Sequence, residues 1–419
     1  MTAQTIFFVL IAFLTLEFVM ERVLDYLNTK NWSDEMPDEV KGIYDEKKYR
    51  KSQQYNRERH RFASLVSFVF FIVLIFMLVF QVFAVLDGIV ISITPEPILQ
   101  TLLFFAVLGI ANDLLGLPFV AYSTFRIEEK YGFNRTSVRT FFLDKLKSWI
   151  LSGLFGGLIL TLITYLYIET GPYFWILAWS AITLFSIFIT MFYSTLIVPI
   201  FNKLTPLAEG EVRDAIESFA RKLGFRIADI YVIDGSKRTA KANAYFSGLG
   251  PKKRIVLYDN LVNEYSRDEL VAILAHEIGH LKKRHVLKSL LISMAETGLL
   301  LFLFSVIAEA PALSLALGAE TPSFHLALLA FGILYSPVST LLGILMNTYS
   351  RKNEYEADRF AGEHFDPRHL MSALKKLSVN HLSNLKPHQA YVFVHYSHPP
   401  LLERLDALKK LPENQPESA

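Results

Sequence analysis

Five consecutive residues, His276-Glu277-Ile278-Gly279-His280, carry two imidazoles and a carboxylate at a spacing suited to metal chemistry. They follow directly on Asp268-Glu269-Leu270-Val271-Ala272-Ile273-Leu274-Ala275, which reads as helix. Residues four apart share a helix face, so His276 and His280 converge on one ion while Glu277 sits beside its open coordination position. That is the arrangement of a zinc protease. Neutral imidazoles hold zinc without cancelling its charge, so water there becomes acidic and a nearby carboxylate takes its proton. The expectation is one Zn2+ per chain with Glu277 as general base. A surface helix bearing two solvated histidines is the competing reading of so short a motif.

The elements around the motif belong to a membrane. Of the 419 residues 52% are hydrophobic and 14% aromatic, more apolar surface than a soluble core of this size requires, and the excess comes in blocks. A span needs about 20 mainly apolar residues. Seven blocks qualify, near 4–21, 63–91, 98–122, 147–168, 173–198, 286–308 and 324–347. The first lacks a basic head and a cleavage site, and Glu17 and Glu21 fall where a cleavage site would lie, so it reads as a retained span. Lys and Arg crowd 22–61, 126–147, 200–285 and the tail after 350, and are absent from 92–97, 169–172 and 309–323. The positive-inside rule then puts the N-terminus outside and both the motif segment and the tail in the cytoplasm.

The predicted fold is an all-α polytopic membrane protein with a small α+β protease domain on the cytoplasmic side. Its divisions are spans 1–5 with their loops (1–199), a soluble insert carrying the motif (200–285), spans 6–7 (286–347) and a tail completing the site (348–419). Within the insert, Glu211 to Leu223 has helical periodicity, and 227–233, 243–248 and 254–258 read as strands feeding the motif helix. A sheet edge so placed could hold an extended substrate by backbone hydrogen bonds.

Composition also excludes. A net charge of +2 gives no sign of nucleic-acid binding, and the basic runs are accounted for as topology signals beside lipid headgroups. The absence of cysteine removes disulfides, cysteine-held iron–sulfur clusters and thiolate zinc sites, so any metal is held by nitrogen and oxygen. Asn31-Trp32-Ser33 and Asn134-Arg135-Thr136 match the glycosylation pattern but fall in cytoplasmic loops.

Over nearly its whole length the chain resembles the type 1 CAAX prenyl proteases, an integral-membrane family of zinc metalloproteases. The resemblance rests on Arg126-Ile127-Glu128-Glu129-Lys130-Tyr131-Gly132-Phe133-Asn134, Pro199-Ile200-Phe201-Asn202-Lys203-Leu204-Thr205-Pro206-Leu207, Asn243-Ala244-Tyr245-Phe246, the motif helix, Asn353-Glu354-Tyr355-Glu356-Ala357-Asp358 and His395-Tyr396-Ser397-His398-Pro399-Pro400-Leu401-Leu402-Glu403-Arg404. It implies that Glu354 is the third zinc ligand. The residues agree, because Glu354 and Asp358 are four apart on a helix continuing from the seventh span, so one carboxylate reaches the metal while the other supports it. Asp358 is expected to hydrogen-bond a zinc histidine, in preference to being a surface charge. The resemblance further implies that His398 and Arg404 line the site, where they would stabilise charge on the attacked carbonyl oxygen. Arg404 could otherwise hold the peptide's C-terminal carboxylate. Asn243 would bind substrate backbone or polarise its carbonyl. One departure stands beside it: Lys241-Ala242 replace the His-Ser common in the family.

His285, His325, His364, His369, His381 and His388, with Glu356 and Glu363, read as ordinary polar residues. Glu17, Glu21, Asn112 and Asp113 are costly in lipid and suit either the water-filled chamber that the resemblance implies or helix-to-helix contacts. The expected activity is hydrolysis near the C-terminus of prenylated CAAX-type or other membrane-associated substrates by a monomer in the lipid bilayer. A quality-control protease without prenyl preference is the alternative. A transporter or channel with structural zinc is disfavoured, since such a site needs a fourth ligand and no use for Glu277. Short outer loops and the lack of a retention signal favour a bacterial inner membrane over the endoplasmic reticulum.

Overall fold

The computed structural model describes residues 1–224, 229–248 and 254–411. Among the described residues, six helical runs are long and apolar enough to cross a membrane: Ala3–Thr29, Glu46–Val79, Pro97–Tyr131, Val138–Phe201, His285–Ile307 and Phe324–His364. Only 6–11% of the residues in their most apolar windows are buried, so these helices need lipid or another cover outside the protein. The 64-residue run is not straight. It breaks at the turn Gly171–Tyr173 into Val138–Thr170 and Phe174–Leu196, which pack on each other.

The second apolar block, expected as one span over 63–91, is interrupted. Helix Glu46–Val79 ends, Gln81 takes a left-handed φ of 54°, and a second helix runs from Val82 to Ile93. Gly318 explains the fit. A Cβ at that position would approach the Gln81 side chain to 2.7 Å. At this end of the bundle Leu10, Phe83, Phe104, Leu317 and Leu326 form a buried cluster. Among them His325 Nε2 lies 2.6 Å from Asp87 Oδ1, with the imidazole tilted against Phe104. Mid-span Asp113 accepts from Lys145 and from Trp149 Nε1 (2.8 Å), and Glu21, toward the C-terminal end of the first span, lies 3.2 Å from His395.

The non-membrane part holds a four-stranded sheet in the order β1-β2-β4-β3, with β1 Leu204–Pro206, β2 Asp229–Ile233, β3 Ala244–Ser247 and β4 Arg254–Tyr258. The central pair β2 and β4 is parallel, and both flanking strands are antiparallel to their neighbours. β1 was not foreseen, because three residues ending in proline give no alternation to read. Part of the first expected strand, residues 227–228, lies outside the described residues. β3 is an edge strand and touches the motif helix, Arg267–Lys282.

That helix starts at a capping box. Ser266 Oγ accepts from Glu269 N, and the Glu269 carboxylate accepts from Ser266 N. Glu269 also binds Ser372 Oγ (2.7 Å), which ties the tail helix Pro367–Asn380 to the same end. Farther along, the motif helix lies against the membrane helix Phe324–His364. Their approach is so close that a Cβ on Gly279 would come within 3.0 Å of Ala357 Cα. The tail ends in helix Leu401–Lys409, whose Leu401, Leu405 and Leu408 join one core with Tyr55, Tyr131, Ile216, Leu257 and Leu270.

Candidate active site

His276 and His280 stand one turn apart on the motif helix, and their Nε2 atoms are 3.1 Å from each other. Glu354 arrives from the facing membrane helix, with Oε2 3.5 Å from His276 Nε2 and Oε1 3.4 Å from His280 Nε2. Suitable ligand atoms of the three side chains all lie within 4.8 Å of one another. The set fits zinc: two nitrogens at about 2.0–2.1 Å from a tetrahedral ion are roughly 3.3 Å apart, near the separation seen. Glu354 is buried, and its Oε2 has no hydrogen-bonded partner among the described residues despite three cationic or imidazole groups within 3.5 Å. A buried carboxylate oxygen left in that state is one that a cation would satisfy.

Each histidine is steadied from behind. His276 Nδ1 is 2.9 Å from Asp358 Oδ1, one turn beyond Glu354 on the same helix. Arg404 grips Asp358 with two bonds, Nε to Oδ2 at 2.8 Å and Nη2 to Oδ1 at 2.6 Å, and its Nη1 is 3.4 Å from Glu354 Oε2. The guanidinium is therefore already engaged by carboxylates and is not free to bind a substrate terminus. His280 Nδ1 meets His285 Nδ1 at 2.9 Å, and His285 Nε2 meets Glu356 Oε2 at 3.2 Å. His285 and Glu356, read from the sequence as ordinary polar residues, thus form a second chain of contacts to a candidate ligand, His280.

Glu277 interacts electrostatically with both motif histidines, Glu354 and the tail's His398, and burial pushes its carboxyl above the usual carboxylate range against the pull of the histidines. His398 reaches the same centre from the tail, with Nδ1 2.9 Å from Glu354 Oε2, and its side chain is 64% exposed, which leaves it open to a substrate. Asn243 is placed differently. Its Oδ1 accepts from the adjoining Ala244 N (2.9 Å), and it lines a separate cavity with Tyr193, Tyr245 and Tyr258. Lys241, at the departure from the family pattern, pairs at 3.2 Å with Glu128 of the run Pro97–Tyr131 and donates to the Tyr55 hydroxyl of the second helix at 3.0 Å.

Two family models together cover most of the chain. Residues 25–203 match the CAAX prenyl protease N-terminal region with five membrane helices, and 206–412 match peptidase family M48. A CAAX prenyl protease 1 homologue of Arabidopsis thaliana is 33% identical over 95% of this chain and 96% of its own length. The CAAX prenyl protease 1 of Saccharomyces cerevisiae is 32% identical over 95% and 94%. The crystal structure of S. mikatae Ste24p superposes with a TM-score of 0.92 at 31% identity, covering 96% of this chain and 99% of that one.

Proposed function

Because the chain belongs to peptidase family M48, as an integral-membrane metalloendopeptidase of the type 1 CAAX prenyl protease kind, we propose that it hydrolyses a peptide bond near the C-terminus of prenylated CAAX substrates with a single zinc ion. The observation that carries this reading is the convergence of His276 Nε2, His280 Nε2 and the Glu354 carboxylate beside Glu277. Zinc held by those three groups would polarise the scissile carbonyl and acidify a water molecule. Glu277 takes the proton of that water as its oxygen attacks the carbonyl carbon, and then delivers the proton to the leaving amine. His398 faces the oxygen on which negative charge develops. Asp358 and His285 fix the rings of His276 and His280, and Arg404 holds Asp358 in place. Asn243 stands at the start of the edge strand β3, along which substrate backbone could add.

We read seven spans, with Val138–Thr170 and Phe174–Leu196 as a hairpin, and place the site on the cytoplasmic side. The insert 200–285 and the tail 348–419 together complete it. The packing of the two hairpin arms and the Lys and Arg asymmetry support this topology. Asn112, polar and exposed inside a span, supports a water-filled chamber.

The test is cleavage by purified protein of a farnesylated CAAX peptide, its unprenylated twin and an unprenylated membrane protein. Release of the C-terminal tripeptide from the farnesylated peptide, abolished by chelation and restored by zinc, is the expected result. Equal cleavage of all three would refute the prenyl preference.

A further inference from the structure

A cavity of about 410 Å³ opens at His398 and Arg404 and runs away from the metal ligands toward the second helix. Its walls are of two kinds. Leu374, Leu377, Leu385 and Pro399 give it an apolar side, while Arg59 and Lys241 make it cationic, and no Asp or Glu is among its lining residues. Size and lining suit a short apolar peptide with an anionic end.

The cations around it are not equivalent. Arg404 is bound twice by Asp358, and Lys241 pairs with Glu128. Arg59 is exposed, lies beside the Tyr55 hydroxyl one turn earlier on the same helix, and forms no ion pair with a carboxylate among the described residues. Two further lining residues, His381 and Asn384, carry buried nitrogens without hydrogen-bonded partners, Nε2 and Nδ2. Burial holds the His381 imidazole neutral, down at about 4. Its ring is therefore able to accept from a peptide N–H, and the Asn384 amide to donate to a peptide carbonyl.

We propose that this cavity receives the leaving side of the substrate, and that Arg59 is the counter-ion of the substrate's free C-terminal carboxylate. The proposal rests on the endopeptidase reading above and deepens it. It assigns to the wall of this cavity the selection for a chain end, since an internal bond or an amidated terminus brings no negative charge to Arg59. A guanidinium–carboxylate contact also has the bidentate geometry that a lysine there would lack.

The experiment separates binding from turnover. Binding of a fluorescent apolar tripeptide, Val-Ile-Met, is measured on the purified full-length protein as the free acid and as the C-terminal amide. The free acid is expected to bind about 10- to 100-fold more tightly than the amide, the range of a hydrogen-bonded charge. Arg59→Gln should bring the acid down to the amide's affinity, Arg59→Lys should recover part of it, and KM for the acid form of a CAAX peptide should rise in Arg59→Gln at wild-type zinc content. Equal binding of acid and amide by the wild type, or unchanged acid binding in Arg59→Gln, overturns the assignment. Arg59-dependent tripeptide binding without cleavage of any CAAX peptide would uphold the subsite and refute the proteolytic reading. Cleavage indifferent to the terminal charge would do the reverse.

Discussion

Two buried histidine–carboxylate contacts lie on one helix and do different work. At the start of Phe324–His364, His325 meets Asp87 at 2.6 Å, and both side chains are sealed among apolar residues. Twenty-nine residues later, roughly 40 Å along the axis, Glu354 and Asp358 face His276 and His280. In the first contact the imidazole nitrogen nearest the acid is used on it, and the ring lies against Phe104, so the pair closes on itself as a clasp between helices. In the second, the carboxylate Asp358 takes only the rear nitrogen of its ring, which leaves the two Nε2 atoms pointing at a shared centre. Burial and a short contact are common to both. Convergence of ligand atoms from two elements on one centre is what separates a site from a strut.

Removing the base should break that contrast most sharply. Glu277→Gln is expected to lower kcat by roughly 10²- to 10⁴-fold with zinc content unchanged by elemental analysis. An active variant would end the mechanism. In the metal-free protein, burial should make the Glu277 carboxyl lose its charge, as pH falls, at a value above the ordinary carboxylate range, as read by NMR titration. Next in size is His398→Ala, whose loss of an oxyanion donor should reduce kcat by about 10²- to 10³-fold, again with zinc retained. If KM alone changes, His398 binds substrate and does not stabilise the transition state.

Asp358→Asn and His285→Gln should act through the ligands, weakening zinc by about 10- to 100-fold, read by titration with a competing chelator. The smallest effect on zinc and turnover is expected at the clasp. His325→Leu leaves Asp87 buried without its partner, so it should lower the thermal midpoint, at a cost of about 3–5 kcal/mol, while zinc affinity stays at the wild-type level. A loss of metal in His325→Leu would mean that the two ends of the helix are coupled.

The sequence carried the centre of the site because helix geometry turns spacing into position. His276 and His280, and Glu354 and Asp358, are pairs four apart on continuous helices, and each pair presents one face. His285 was illegible for the same reason. Five residues beyond His280 on an unbroken helix it would point well away, but the motif helix ends at Lys282, Arg284 takes a φ of 58°, and a new helix begins at His285 itself. The change of direction swings that ring back onto His280. The polar run Lys282-Lys283-Arg284 marks where it happens, though not its angle. Gln81 hid the break in the second block similarly, as a single residue in a left-handed conformation inside an apolar run. Arg404 was legible as a site residue, but its partner was not, because a contact across 46 positions of sequence leaves no periodic trace.

The candidate ligands come from separate stretches of chain, His276 and His280 before the last two long apolar helices and Glu354 toward the end of the final one, with the Arg404 support later still. Order of synthesis then matters. A ribosome-bound chain that has already displayed both histidines lacks the third ligand until nearly every membrane helix has been made. The three groups can therefore converge only after the last of the long apolar helices has been made, and the end of that helix completes the cluster.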